Sequence, residues 1–272
     1  MRPFVEYAYA KVNLDLHVLS RRTDGYHEIA SHVAFVDVGD ILTVKPAKAN
    51  TLEVVGRFRT DVPLDDSNII WKAYHWLAQQ VKLPPVHVRL EKKLPVAAGI
   101  GGGSANAAAI LRGLLLSVKK QLSEAQIAGL ATALGADVPV CFRGRPCRMG
   151  GIGEKISALT IELPAAMVLV NPLLPCSTAA VFSQLGLQAG QTFVGGSEVS
   201  RNDMTEAALK IQPVIADVLA ALAQTGLVSR MMSGSGATCF GLAQSLNQAE
   251  IVARKLKALH PHWWVRAGRV LT

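Results

Sequence analysis

The sequence predicts an α+β chain in two parts, on three observations. Strand-like alternation and helix-like periodicity are interleaved along its whole length. Half of its 272 residues are hydrophobic and only 18% are charged, enough to bury a substantial core and unlike a disordered chain. The weakest join is a cluster of glycines, Gly150, Gly151 and Gly153, and a boundary there gives residues 1–155 and 156–272.

The elements follow in order. Val12, Leu14, Leu16 and Val18 alternate with Lys11, Asn13, Asp15 and His17, the pattern of one strand with two faces. Asp24-Gly25 is a hairpin-turn dipeptide, and a second strand resumes over 29–38. Short strands are expected at 41–45 and 52–55. Ile69, Ile70, Ala73, Trp76 and Leu77 form one apolar stripe of a helix over 68–82. A strand over 86–90 leads through KKLPVAAGIGGGSAN into a small-residue helix over 105–118. Ser123 and Gln126 have capping-box spacing for a further helix ending at Gly135. The second part reads as a strand at 167–170, helices over 177–185 and 206–224, strands around Met231 and over 238–242, a helix over 248–259 and a last strand at 263–266.

The charge balance, 28 basic against 20 acidic residues, is +8 and admits nucleic acid, an anionic membrane surface or a small phosphorylated ligand. No apolar run reaches the roughly 18 residues that span a bilayer. The N-terminal MRPFVEYAYAKVNLDL lacks the apolar stretch of a signal peptide. Cys141, Cys147, Cys176 and Cys239 form no C-x-x-C pair and read as reduced thiols, so a cytoplasmic protein is expected. Basic residues come as short pairs, Arg21-Arg22, Lys92-Lys93 and Lys119-Lys120, without the stripe a nucleic-acid surface needs.

The strongest single signal is Gly99-Ile100-Gly101-Gly102-Gly103-Ser104, between a strand and a helix. Glycines admit close backbone approach, and a helix start offers unpaired N–H groups and a positive dipole end, which together cradle phosphate. No Lys follows as a Walker loop requires, and Ser104 stands where a dinucleotide fingerprint has its third glycine.

Pro95-Val96-Ala97-Ala98-Gly99-Ile100-Gly101-Gly102-Gly103-Ser104 resembles the phosphate loop of the GHMP kinase superfamily. Four more segments match the same family in its order: Ala10–Leu14 (AKVNL), Arg21–His27 (RRTDGYH), Gly135–Pro139 (GADVP) and Ser233–Ala237 (SGSGA). They look most like the branch that acts on a cytidine diphosphate derivative of methylerythritol. Tyr9 stands where that branch has Pro, and Gly102 and Gly103 stand where other branches carry serines, so the magnesium ligands stay unassigned.

The resemblance implies a two-domain GHMP kinase fold with the active site in the cleft between domains. It implies phosphorylation of a small-molecule alcohol, the 2-hydroxyl, with ATP and Mg²⁺. Asp137 matches the general base. From the residues alone, a plain loop carboxylate near a helix end is as good a reading. Lys11, otherwise a solvated strand lysine, becomes the second catalytic residue, and Asn13 a substrate hydrogen-bonder. Tyr26 and His27 match the cytosine site, with Phe182 on its far side and Thr178 beside it. Asn68 and Lys92, polar and surface-like in the sequence, match positions near the nucleotide. Ser235, Gly236 and Thr238 would close the site. A mevalonate or homoserine kinase remains the alternative within the family, and a basic nucleic-acid-binding protein the alternative outside it. No nucleic-acid or membrane partner is expected, and the assembly is expected to be a monomer or homodimer.

Overall fold

A computed structural model of the chain describes residues 1–196 and 200–272. The first half is built on a seven-stranded sheet. Its strands are β1 (Phe4–Asn13), β2 (His17–Arg21), β3 (His27–Pro46), β4 (Thr51–Val55), β5 (Val86–Glu91), β6 (Cys147–Gly151) and β7 (Lys155–Ser157). Their order is β4-β5-β3-β6-β7, with β1 and β2 both pairing antiparallel with β3. Its α-helices are α1 (Ile69–Ala78), α2 (Gly102–Ser117), α3 (Glu124–Ala133) and α4 (Val138–Arg143), and α2 packs on β1, α1 and α4. The second half has a four-stranded antiparallel sheet, order β11-β8-β10-β9, from β8 (Ala166–Asn171), β9 (Ser229–Met232), β10 (Cys239–Ala243) and β11 (Trp264–Arg269). Helices α5 (Thr178–Gln184), α6 (Thr205–Ile211), α7 (Val214–Ala223) and α8 (Leu246–Leu259) complete it. Ala10, Val12, Ala34 and Val36 of the first sheet share a buried cluster with Leu169, Phe240 and Trp264 of the second. Ala98 and Ile100 of the glycine loop join that cluster, which fixes the loop to the interior of both halves.

Several expectations are corrected. The strand through Val18 is interrupted at 14–16, because the Asp15 carboxylate turns to accept the His32 backbone N–H at 2.7 Å and its ring Nδ1 at 2.6 Å. The two strands at 29–38 and 41–45 are one, β3, which continues through Gly39-Asp40 by a register shift opposite Tyr9/Ala10. The helix over 206–224 breaks at Gln212-Pro213, where proline cannot donate to the preceding turn. The helix expected from 105 begins at Gly102, so Gly102, Gly103 and Ser104 form its first turn. A boundary between 155 and 156 would cut β7, which pairs with β6 through Ser157. We propose the division just after Ser157, which keeps the sheet whole. The capping box of α3 forms as expected, Ser123 Oγ accepting from Gln126 N while the Gln126 side chain accepts from Ser123 N.

Candidate active site

A cavity of about 470 Å³ lies where the end of β1, the start of α2, the turn before α4, the start of α5 and the Gly234-Ser235 loop meet. Lys11 and Asn13 point from the last residues of β1, both nearly without solvent exposure. Lys11 Nζ donates to Asn13 Oδ1 at 2.8 Å and lies 3.0 Å from Asp137 Oδ2. Asp137 stands just before α4, whose first turn holds Pro139 with no side-chain cap, so its carboxylate projects sideways into the cavity, 30% exposed. The strand therefore delivers a buried cation to a half-open anion. A carboxylate so placed can accept a proton, and the ammonium beside it can meet a phosphate.

The glycine loop is held from both sides. Lys11 N–H donates to Ile100 O at 3.0 Å, and Thr238 N–H to Ala98 O at 3.2 Å. Ser233 Oγ donates to Gly99 O at 2.9 Å while accepting from Asn13 N–H at 3.1 Å. Gly99 has φ +73°, and a Cβ there would meet Ser233 O at 2.5 Å and Gly236 O at 2.7 Å, so the two glycine loops touch backbone to backbone. Gly101 caps α2 without a side-chain hydrogen bond, leaving unpaired N–H groups in a first turn whose residues Gly102, Gly103 and Ser104 line the cavity. A Cβ on Gly102 would crowd Lys92 Nζ at 3.3 Å, which gives this position a steric reason to be glycine.

Family models for the N-terminal and the C-terminal domain of the GHMP kinases match residues 68–145 and 182–262. The chain is 44% identical to the 4-diphosphocytidyl-2-C-methyl-D-erythritol kinase of Paramagnetospirillum magneticum, over all of both chains. It is 40% identical to the protein of the same name from Mesorhizobium japonicum, covering 98% of this chain and 95% of that one. The chain belongs to the 4-diphosphocytidyl-2-C-methyl-D-erythritol kinase branch of the GHMP kinases. A crystal structure of 4-(cytidine 5'-diphospho)-2C-methyl-D-erythritol kinase superposes with a TM-score of 0.81 at 29% identity, covering 99% of this chain and 100% of that one. Homoserine kinase from Cytophaga hutchinsonii shares the fold alone, with a TM-score of 0.73 at 15% identity over 100% of this chain and 98% of that one.

Against this GHMP kinase framework the expected site residues divide. Lys11, Asn13, Asp137, Thr178, Phe182, Asn68, Lys92 and the loop from Pro95 to Ala98 all line the cavity, with Gly99 and Gly101–Ser104. Ile100 does not; its side chain goes into the core. Asn68 and Lys92, surface-like in the sequence and matched to the nucleotide side by resemblance, are buried, being 4% and 3% exposed. Asn68 caps α1, accepting from Ile70 N–H at 2.9 Å and donating to Pro63 O at 2.6 Å. Lys92 is paired with Asp40, which sequence reading passed over; the carboxylate also accepts from Lys93 and Leu94 N–H at 2.7 and 2.8 Å. In the sequence Asp40 falls between the two expected strands, and nothing there marks it as buried.

Tyr26 and His27 stand at the rim, outside the lining residues, and Tyr26 is exposed. His27 stacks on Phe182 with ring centroids 4.4 Å apart, so one face of Phe182 is covered by His27, a packing the sequence did not suggest. Burial first, then the charge of Arg21, holds His27 below the ordinary imidazole range, and its Nε2 is buried without a protein partner. Thr178 and Ser235 hydroxyls are 2.7 Å apart across the cavity wall. Thr238 is sealed, accepting from Asn171 Nδ2 at 2.8 Å, and lies behind the site.

Proposed function

We propose that the chain transfers the γ-phosphoryl group of ATP to the 2-hydroxyl of 4-diphosphocytidyl-2-C-methyl-D-erythritol, in the methylerythritol phosphate route to isoprenoids. The observation that carries it is the Lys11–Asp137 pair, 3.0 Å apart, in a cavity that also receives the start of α2. Asp137 accepts the hydroxyl proton as the substrate oxygen bonds to the γ-phosphorus, and the bond to the β-bridging oxygen breaks to release ADP. Lys11 offsets charge on the transferring group, and Asn13 holds Lys11 and the substrate side. The loop Pro95–Ser104 and the first-turn N–H groups of α2 hold the ATP phosphates. Asn68 and Lys92 serve the nucleotide side mainly by shaping the wall there.

For the cytidine end, Phe182 offers a ring face and Thr178 a hydroxyl. His27, kept neutral, offers an unpartnered ring nitrogen, and Tyr26 is free to fold over the base. Among the described residues there is no cluster of three or more His, Cys, Asp or Glu that could hold a metal. A phosphate-borne Mg²⁺ fits this donor set, with the Ser104 hydroxyl in the first turn of α2 the side chain available to it; the ion would neutralise β- and γ-phosphate charge. A cytoplasmic monomer or homodimer is part of the same reading. No helix among the described residues is long and apolar enough to cross a membrane. A coupled ADP-release assay with the cytidine diphospho substrate tests it, with mevalonate and homoserine as controls. Turnover of either control in preference to the cytidine compound overturns the assignment.

A further inference from the structure

Lys11 does not hold its place alone. Its ammonium has three protons. One goes to Asn13 Oδ1 and another faces Asp137 Oδ2, which leaves the third for an incoming phosphate. That arrangement needs the Asn13 amide to present its oxygen, not its NH₂, to Lys11. The other end of the amide settles the matter: Asn13 Nδ2 donates to Ser31 Oγ at 2.8 Å. Ser31 lies on β3, is 2% exposed, and does not line the cavity. Its own proton is committed, because Ser31 Oγ donates to Asp15 O at 2.6 Å. A hydroxyl whose proton is spent on a carbonyl can only accept from its other neighbour. Asp15 is itself fixed, since its carboxylate takes the backbone N–H and the ring of His32. The backbone break at 14–16 thus aims a carbonyl at Ser31.

We propose that Ser31 is a positioning residue for phosphoryl transfer: by accepting from Asn13 Nδ2 it forces Asn13 Oδ1 toward Lys11 and so sets the ammonium between Asp137 and the phosphate. The proposal rests on the kinase reading above and adds a residue to its machinery. It predicts an effect on the chemical step and on the placement of the Lys11 ammonium, with little effect on ATP binding. A serine that only filled space on β3 would give neither.

The test is kinetic and spectroscopic. Ser31→Ala is expected to lower kcat about tenfold, the rate equivalent of one hydrogen bond, with KM for ATP changed by less than about twofold. Without its ordered acceptor, Lys11 Nζ loses its fixed partner, so its NMR resonance, followed at one pH in the ligand-free protein, shifts. Ser31→Thr, which keeps the hydroxyl, recovers most of the loss. In an Asn13→Ala background Ser31→Ala costs less than about twofold more, because the two share one path. Equal losses in both backgrounds, or an unmoved Lys11 Nζ resonance, overturn the proposal. Should Ser31→Ala not fold, Ser31→Cys carries the same comparison at nearly equal volume. A wild-type chain inactive on the cytidine compound overturns the kinase reading instead, while the Lys11 Nζ resonance still decides the role of Ser31.

Discussion

Lys11–Asp137 and Lys92–Asp40 are both lysine–aspartate pairs standing against the first residues of α2, and they are built to opposite ends. Asp40 is fully buried, and its oxygens are taken up by Lys92 Nζ and by the N–H groups of Lys93 and Leu94. Asp137 is 30% exposed, and among the described residues Lys11 is the one partner of its carboxylate. The sealed carboxylate, holding Lys92 Nζ and two backbone N–H groups on its roughly four acceptor sites and standing off the cavity, can only tie β3 to the end of β5. The open one has lone pairs turned toward the cavity. The lysines are equally buried, so it is the carboxylate's remaining valences, not the ion pair, that mark the chemistry.

Exchanging the open carboxylate is the largest expected effect. Asp137→Asn should lower kcat by about a thousandfold, within the range of general acid–base catalysis. Lys11 loses its counter-charge but keeps Asn13 Oδ1, and water reaches the partly exposed Asp137 side, so the thermal midpoint should fall less than for the sealed pair. Steady-state kinetics with a parallel melt checks both halves, and a variant that keeps wild-type kcat removes Asp137 from the base role.

The sealed pair should answer in the other currency. Asp40→Asn leaves Lys92 buried without its counter-charge and should destabilise the fold by about 3–5 kcal/mol. Urea unfolding reads this directly, and kcat per folded molecule should fall far less than for Asp137→Asn. A stable but inactive Asp40→Asn would erase the contrast between the pairs.

That contrast shows where the sequence was legible. The glycine loop, the AKVNL strand and GADVP were readable because each needs particular residue types in a row: backbone approach, a face of alternating side chains, a carboxylate beside a proline turn. The capping box of α3 was readable for the same reason, both partners lying three residues apart. Asp40 was not, because its partner is 52 residues away. The stacking of His27 on Phe182, and the chain from Asp15 through Ser31 to Asn13, likewise depend on pairings across strands and halves. Lys92 looks like surface in the sequence because a charged side chain defaults to solvent until its counter-charge is known, and only the family resemblance moves it to the nucleotide side. The merged β3 misled because Gly39-Asp40 looks like punctuation, while in a long strand with a register shift it is the device that turns Asp40 inward.

The open pair depends on a seam that the sealed pair does not need. Asn13 N–H reaches Ser233, and Ser233 reaches Gly99, so the end of β1 is registered by the second glycine loop. Gly99→Ala forces a side chain to positive φ and against two carbonyl oxygens, and should cost about 1–3 kcal/mol of stability. Its KM for ATP should rise as the loop shifts, while the Asp40 region keeps its hydrogen-exchange protection. Equal loss of protection at both pairs would show that one cooperative unit holds them, and the comparison would fail.

Beneath the open pair the protein is dry, and this can be tested by pH. Cys141 lies under Gly101, where a Cβ would come within 3.6 Å of its sulfur, and burial pushes its thiol from 9.0 up to about 12. The nearby charge of Asp137 pushes the same way, against Lys11 and Arg112. A raised acid contributes stability that is whole below the unfolded value and lost above it. Below pH 9.0 both states hold the proton; from there to about 12 only the unfolded chain releases it, so stability falls as pH rises. The slope from one such thiol is at most about 1.4 kcal/mol per pH unit. Cys141→Ala should therefore lower stability by a constant amount below pH 9.0 and decline less steeply than wild type above it, in urea midpoints taken across the window. Parallel curves would mean that water reaches the sulfur from below. Asp137 would then be wet on two sides, and its opening toward the cavity alone could no longer explain why it, and not Asp40, takes the proton.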